Sequence, residues 1–426
     1  MATFSVCGEL RSDEDDNRFQ AALADHYHNR KGEQPACHCQ DPPIALYIAR
    51  MGDRYVLKRW PHTGWQHKYT CPKYEPPAEA SGLGSLLGGA IREEPLTGLT
   101  SLTVDFSLKK VKRADGAASA SLSPDDAANE GPSSDSGSSR KLTLKSILHY
   151  LWDKAEFCRW VPMMADRRNW AVVAKHVQEV ANGTQIKQQA LGHLLYIPPV
   201  WNQAESDRLK ARRQAFFGAF HSRTGPKRLV MVLGEAKELS ASQFGQRLVI
   251  KSMPETRIFL SDQKYAQFAN RYGFELTSWR ENANRSEVSK GHHLVVLLTA
   301  AVSESGALLV EDLAAIAVNS QWIPYSSLHD RLVIDSAVAL RRKFLKPMTY
   351  NLGKGRTLPS IILVDTKPLQ VNVFVKTAFD SEILNRTRDE LINTSRGHSL
   401  VWETDSGAGV YDLIEGLGRT APELTE

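Results

Sequence analysis

The chain lacks any apolar run long enough to cross a bilayer. The longest, Leu294 to Val302, is about half of the ~20 residues a spanning helix needs, so a membrane is not an expected partner. No basic-then-apolar leader precedes the acidic Asp13-Glu14-Asp15-Asp16, which makes secretion unexpected and the cytoplasm the expected compartment. Cysteine is scarce: five residues, an odd number without framework spacing, argue against a disulfide scaffold and for a reducing environment. Catalytic signatures are missing too. There is no Gly-rich loop before Lys-Ser/Thr, no His-Glu-x-x-His and no Gly-x-Ser-x-Gly. Charge of one sign does not dominate, with 53 Lys and Arg against 48 Asp and Glu, so the net charge alone names no partner. The apolar fraction of 42% is that of a globular protein, and 426 residues exceed one ordinary core.

Three of the five cysteines sit close together with a histidine, as Cys37-x-Cys39 and His67-x-x-x-Cys71. Thiolates and imidazole are the ligands of a tetrahedral Zn²⁺ site, and paired ligands at short separation on either side of a hairpin are a common way to build one. The intervening Ile44 to Ile48 and Tyr55 to Lys58 read as strands around a turn at Met51-Gly52-Asp53. His62 or His38 could stand in for His67. With no carboxylate base nearby, a structural zinc is expected rather than a catalytic one; the alternative is a set of ordinary buried thiols.

Cys37-His-Cys39, Tyr55-Val-Leu-Lys-Arg59-Trp-Pro-His-Thr-Gly64, His67, Cys71, Ser146-Ile-Leu-His-Tyr-Leu-Trp152 and Arg159-Trp160 together resemble a bacterial family known as domain of unknown function 1173. Gly234-Glu-Ala-Lys237, Gln321-Trp-Ile-Pro324 and Phe344-Leu-Lys-Pro347 extend that resemblance over nearly the whole chain. It implies carriage on plasmids and integrative elements and supplies no catalytic residues. The Cys-x-Cys pair is also similar to that of SWIM zinc modules, whose second pair is Cys-x-His and so differs.

Composition divides the chain. Residues 113–140, rich in Ala, Ser, Asp and Gly, cannot bury enough apolar area to order and are expected to be a linker. Before it lies a zinc-stabilised β module (1–112), with Leu102 to Val111 as a further strand and the glycine-rich Ser81 to Ala90 as a loose segment. After it comes a basic helical middle (141–228). Leu142 to Trp152 and Trp170 to Val180 repeat at helical spacing, and Leu194 to Ile197 is a strand; a winged helix is one arrangement with this order. The remainder (229–426) reads as mixed α/β: a hairpin from Leu229 to Leu233 and Arg247 to Ser252, a strand from Leu294 to Thr299, and helices Leu309 to Asn319 and Leu328 to Leu345. Strands Ile361 to Val364 and Val371 to Lys376, helix Ser381 to Asn393 and strand His398 to Glu403 follow. The expected fold is α+β and multidomain.

Positive charge clusters with aromatics. Arg208, Lys210, Arg212, Arg213, Arg223, Lys227 and Arg228 lie in an acid-free stretch with Phe216, Phe217 and Phe220. Arg341, Arg342, Lys343 and Lys346 open a second, and Lys58, Arg59 and Lys68 surround the cysteines beside Trp60 and Trp65. Such stretches can set cations against phosphates and rings against bases, although solvated helix faces and core phenylalanines give the same pattern. Glu235-x-Lys237 resembles half of the metal site of PD-(D/E)xK nucleases without the upstream acid. The order of elements from Leu328 to Glu403 follows that fold, but Ser360 and Phe374 occupy the acid positions. The resulting expectation is a non-catalytic nucleic-acid-binding accessory protein of a mobile element, with DNA ahead of RNA and other proteins of the element as further partners. A nuclease using Glu235 and Lys237, and an interaction scaffold, are the alternatives.

Overall fold

The computed structural model describes residues 3–11, 17–29, 34–51, 54–84, 86–95, 97–110, 141–221, 226–284, 291–353 and 355–419. The expected linker at 113–140 and Arg223 lie outside these residues.

The N-terminal part is a five-stranded sheet, order β2-β1-β3-β4-β5, built from β1 (Phe4–Val6), β2 (Glu9–Arg11), β3 (Ala36–Cys37), β4 (Ile44–Met51) and β5 (Arg54–Arg59). Helix α1 (Asn17–Asn29) packs Phe19 and Leu23 against it. The expected hairpin is β4 and β5, with Met51 opposite Arg54. Its core is not self-contained: Leu345, Ile362 and Val364 from far along the chain complete it.

Strands β6 (Ile91–Glu93) and β7 (Thr100–Leu102) pair with each other, and β8 (Lys109–Lys110) lies apart from them. The run from Leu102 is thus broken after Leu102. Ser81 to Ala90 is packed rather than loose in its described residues. Leu86 and Ala90 are fully buried, and Gly82 donates its N–H to Met348 O at 2.9 Å. A Cβ at Gly82 would stand 2.2 Å from Thr349 O, so the glycine permits contact between two backbones.

Helix α2 (Leu144–Lys154) is capped by Thr143, whose side chain accepts from Ser146 N, and buries nearly its whole length. After β9 (Arg159–Trp160), α3 (Trp170–Asn182) starts at Asn169, which accepts from Val172 N. β10 (Thr184–Ile186) runs parallel to β7, and β11 (Gln189–Ala190) pairs with β10. The short α4 (Leu191–Leu194) leads into β12 (Leu195–Tyr196), followed by α5 (Ser206–Gly218). The expected middle segment is therefore knitted to its neighbours. β6 and β7 share a sheet with β10 and β11, and one hydrophobic core runs from Leu83 to Tyr350.

A barrel follows. Its strands are β13 (Lys227–Ser242), β14 (Gly245–Ile250), β15 (Ile258–Leu260), β16 (His293–Val302) and β17 (Leu308–Val318), in the order β13-β14-β15-β17-β16 and closed by β13 against β16. Only the β15 to β17 pairing is parallel. Helices α6 (Asp262–Arg271) and α7 (Gly273–Asn284) sit between the third and fourth strands in sequence. β13 is long enough to serve two partners, β16 through Glu235 and β14 from Ala236 onward, with an irregularity between Ala236 and Glu238. The expected helix at Leu309 to Asn319 is strand β17. Its Leu and Ala residues favour a helix locally, but ten register pairs with β16 and a continuous buried face decide for the sheet.

The C-terminal part carries β18 (Pro324–Tyr325), α8 (Leu328–Ala339), β19 (Phe344–Leu345), β20 (Ile361–Leu363), β21 (Val371–Lys376), α9 (Glu382–Thr394), β22 (His398–Glu403) and α10 (Val410–Glu415). Its sheet runs β22-β21-β20-β19-β9, with β21 and β22 parallel. The helix expected to reach Leu345 stops at Ala339. Arg341, at φ 53°, turns the chain into β19.

Candidate metal centre and basic surfaces

Cys37 ends β3, held between β1 and β4 by pairings with Phe4 and Ile44. Cys39 lies in the turn after it. His67 follows a 3-10 turn (Gly64–Gln66), and Cys71 closes a further turn through its N–H to Lys68 O at 2.8 Å. The four side chains converge, one ligand atom from each lying within 4.8 Å of the others. Cys37 Sγ is 3.7 Å from Cys71 Sγ; His67 Nδ1 is 3.4 Å from Cys39 Sγ and 3.8 Å from Cys71 Sγ. Sulfur ligands at 2.3 Å from one ion in a tetrahedron lie about 3.8 Å apart, and sulfur and nitrogen about 3.6 Å. The cluster thus has the spacing of ligands to a single ion, and His67 rather than His62 or His38 completes it.

Backbone N–H groups point at all three sulfurs. Cys39 N–H reaches Cys37, Lys68 N–H reaches Cys39, and Lys73 N–H lies 3.4 Å from Cys71 Sγ. Each favours a thiolate. The hydrogen bond from Cys37, followed by that from His67, draws the Cys71 thiol down to about 4, while the same contact and burial push Cys37 up. Cys37, His67 and Cys71 are buried and Cys39 is partly so. His67 Nε2 is buried without a hydrogen-bond partner among the described residues.

The centre is docked on the C-terminal sheet. Tyr69 Oη donates to Thr366 O at 2.9 Å, and Tyr74 Oη to Gln370 Oε1 at 2.6 Å. Beside it lies a cleft of about 710 Å³ lined by Tyr47, Lys58, Arg59, Trp60, Lys154 and Arg396 among others. Arg59 is paired with Glu75, and Lys154 with Glu93 at 3.1 Å. Burial lowers the affinity of both Lys58 and Arg59 for their protons. Lys68 is exposed, and Arg396 lies 4.4 Å from the Trp65 ring centroid.

The other basic residues divide by burial. Arg208, Lys210 and Arg212 are exposed on α5, whereas Arg213 is buried in an ion pair with Glu255. Arg341 and Lys343 are exposed. Arg342 is fully buried against Asp365 at 3.1 Å, and Lys346 reaches Asp330 at 2.7 Å in a sealed group with Ser360. These three buried cations serve the interior and are not available to phosphates. Phe217 and Phe220 are core, and Phe216 packs against it. They support α5 and do not face bases.

Lys227 and Arg228 open β13 directly opposite Lys110 and Lys109 of β8. Like charges facing each other across a ribbon repel. Lys110 is offset by Glu311 at 2.5 Å, and Arg228 lies 5.1 Å from the Phe220 ring centroid. Lys109 and Lys110 escaped the sequence reading because they form a dipeptide within a run read for its hydrophobic alternation.

Glu235 faces His293 Nδ1 at 2.7 Å and Lys251 Nζ at 3.0 Å. Burial alone would raise its carboxyl, but the bond and charge of His293, with Lys251, outweigh this and hold it low. Lys237 is exposed within the strand irregularity, between Ala236 and Glu238. Among the described residues the only group of three or more His, Cys, Asp or Glu able to hold a metal is the Cys37 cluster, so Glu235 and His293 belong to no such group. Burial pushes the Cys158 thiol well up, as for a packed thiol.

Barrel and cysteine centre define a multi-part α+β protein with, among the described residues, one candidate metal site and no helix long and apolar enough to cross a membrane. The chain belongs to the DUF1173 family, described as a protein of unknown function, whose model matches residues 4–405. Comparison with curated proteins and with solved structures finds no match.

Proposed function

We propose that this protein is a non-catalytic nucleic-acid-binding accessory factor of a bacterial mobile element, with one structural Zn²⁺ held by Cys37, Cys39, His67 and Cys71. Three sulfurs, one imidazole nitrogen and no carboxylate form a donor set that suits zinc, and the burial of three ligands suits a closed site. The mobile-element setting and the protein partners follow from the sequence resemblance, the cytoplasmic location from the leader and cysteine pattern, and all belong to the same proposal. DNA stands ahead of RNA.

The observation that carries the nucleic-acid reading is the ladder of like charges at the foot of the barrel, Lys227 opposite Lys110 and Arg228 opposite Lys109. Lys227 and Lys110 share one face of the ribbon and Arg228 and Lys109 the other; Glu311 offsets Lys110 alone, and a phosphate backbone would relieve the repulsion within each pair. Arg208, Lys210 and Arg212 add exposed charge on α5, which the Arg213 to Glu255 pair pins to the loop joining β14 and β15.

The test is fluorescence anisotropy of labelled single-stranded and duplex DNA and RNA over a salt series, with elemental analysis of the same preparation. Binding is expected to weaken with salt. Lys110→Glu with Lys227→Glu should flatten the log–log slope by roughly 1–2. Absence of binding at low salt overturns the nucleic-acid reading, and absence of stoichiometric zinc overturns the metal assignment.

A further inference from the structure

The outer face of the barrel carries a row of side chains that ranges in exposure from buried Ala301 through half-buried Arg247 and Phe259 to exposed Leu309. Pairing sets Arg247 (β14) opposite Phe259 (β15), Phe259 opposite Leu309 (β17), and Leu309 opposite Ala301 (β16). The neighbours Leu248, Ile258, Leu260, Leu308 and Val310 point into the core, so alternation turns this row outward. Phe244, at the tip of the β13 to β14 hairpin, is 66% exposed and meets Phe259 edge to face, with ring centroids 5.7 Å apart. Leu309 is 41% exposed. A shallow depression lined by Leu309, Ala301, Lys110, Lys227 and Glu311 joins the row to the charge ladder.

We infer that this row is a stacking platform for single-stranded nucleic acid: Phe244, braced edge to face by Phe259, offers its ring to a base, and Lys227, with Lys110 once it exchanges Glu311 for phosphate, meets phosphates of the same strand. The inference rests on the nucleic-acid reading above and adds to it the strand form and the site. A ring two-thirds exposed beside a second ring and a leucine, and leading into paired lysines, matches what a single strand offers: alternating apolar faces and negative charge. Duplex DNA hides its base faces and could use only the lysines. A neutral oligosaccharide could use the rings but not the lysines.

Arg247 and Arg257 border the row. Arg247 Nη2 is 3.4 Å from Pro254 O, and Arg257 donates to Ser305 O at 2.5 Å, which ties the β16 to β17 loop to the start of β15. Glu311 lies in the same depression and is paired with Lys110 at 2.5 Å. The strand order with helices between the third and fourth strands is that of oligonucleotide and oligosaccharide-binding barrels, whose ligands cross the second and third strands. Strand order is an analogy; the exposed Phe244 ring, half-buried Phe259 beside it and the lysines are what this chain contributes.

The experiment measures anisotropy of fluorescein-labelled oligo-dT, the equivalent duplex and a labelled neutral oligosaccharide with the full chain. Phe244→Ala, Phe259→Ala and Phe259→Tyr are compared, each checked for an unchanged circular dichroism spectrum. Phe244 is exposed at a hairpin tip, so its replacement leaves the core intact. Single strand is expected to bind more tightly than duplex. Phe244→Ala and Phe259→Ala should each weaken oligo-dT by about tenfold without changing the salt slope, and Phe259→Tyr should restore binding. Salt-dependent binding that neither alanine variant weakens overturns the platform and leaves the nucleic-acid reading standing. No binding by the unaltered chain removes that reading itself. Oligosaccharide binding tighter than oligo-dT overturns the occupant.

Discussion

A thiolate inside a protein is unfavourable unless donors or a cation hold its charge, and the three cysteines of the centre receive both kinds of support: backbone N–H groups directly and, in the proposed state, Zn²⁺. Cys71→Ser should therefore abolish stoichiometric metal and lower the melting temperature, as elemental analysis and a thermal scan would show; on the order of several kcal/mol of folding free energy depends on such a site. Two histidines give a separate, metal-independent pH effect. Burial holds His149 well below its ordinary value, and its Nδ1 accepts from Tyr350 N at 3.0 Å; burial likewise brings His292 down to about 4. A ring that stays neutral when folded but protonates near 6.5 when unfolded contributes stability that is complete above pH 6.5 and is lost as pH falls toward 4. Urea unfolding at pH 7 and pH 5 should differ by ~1–2 kcal/mol less in His292→Gln than in the unaltered chain. At this scale the sequence was most legible in the metal ligands, because residue type alone limits what cysteine and histidine near one another can do. Burial of Arg213, Arg342 and Lys346 was not legible, since each depends on an acid at Glu255, Asp365 or Asp330 brought close only by the fold.

Elements with strong alternation or strong apolar runs were readable: β4 and β5, β16, β20, β21 and β22 stand where the pattern puts them. β17 was not, because its Leu-Ala-Ala-Ile-Ala-Val run suits a helix until two neighbouring strands are present to pair with it. The pair α6 and α7, from Asp262 to Asn284, went unread as well. The mixed polarity of α7 gives it no clear single face, although Ser261 caps α6 by accepting from Lys264 N. Two substitutions test how elements are joined. Gly82→Ala would drive a methyl into Thr349 O and should cost about 1–3 kcal/mol in urea unfolding. Asp330→Ala would strand buried Lys346 and Ser360 between α8, β19 and β20, with a loss of roughly 3–5 kcal/mol. Binding of oligo-dT by any folded Gly82→Ala protein should be unchanged, since the barrel face lies elsewhere.

For the whole molecule, composition could indicate a multi-part α+β protein but not how tightly the parts are joined. Strands of only two or three residues do the joining: β8 and β12 on β13, β9 on β19, and β10 on β7. Such pieces carry too little pattern to be seen in sequence. The same joining has a consequence for synthesis. Leu345, Ile362 and Val364 complete the core around the cysteines, and Tyr74 meets Gln370 across a sequence separation of 296. At translation rates of ~5–20 residues per second, roughly 15–60 s pass between the appearance of the last ligand and the arrival of the sheet that seals it. For that interval the thiols are open to whatever the cell supplies, so the timing of metal delivery, as much as its affinity, decides what the finished protein contains.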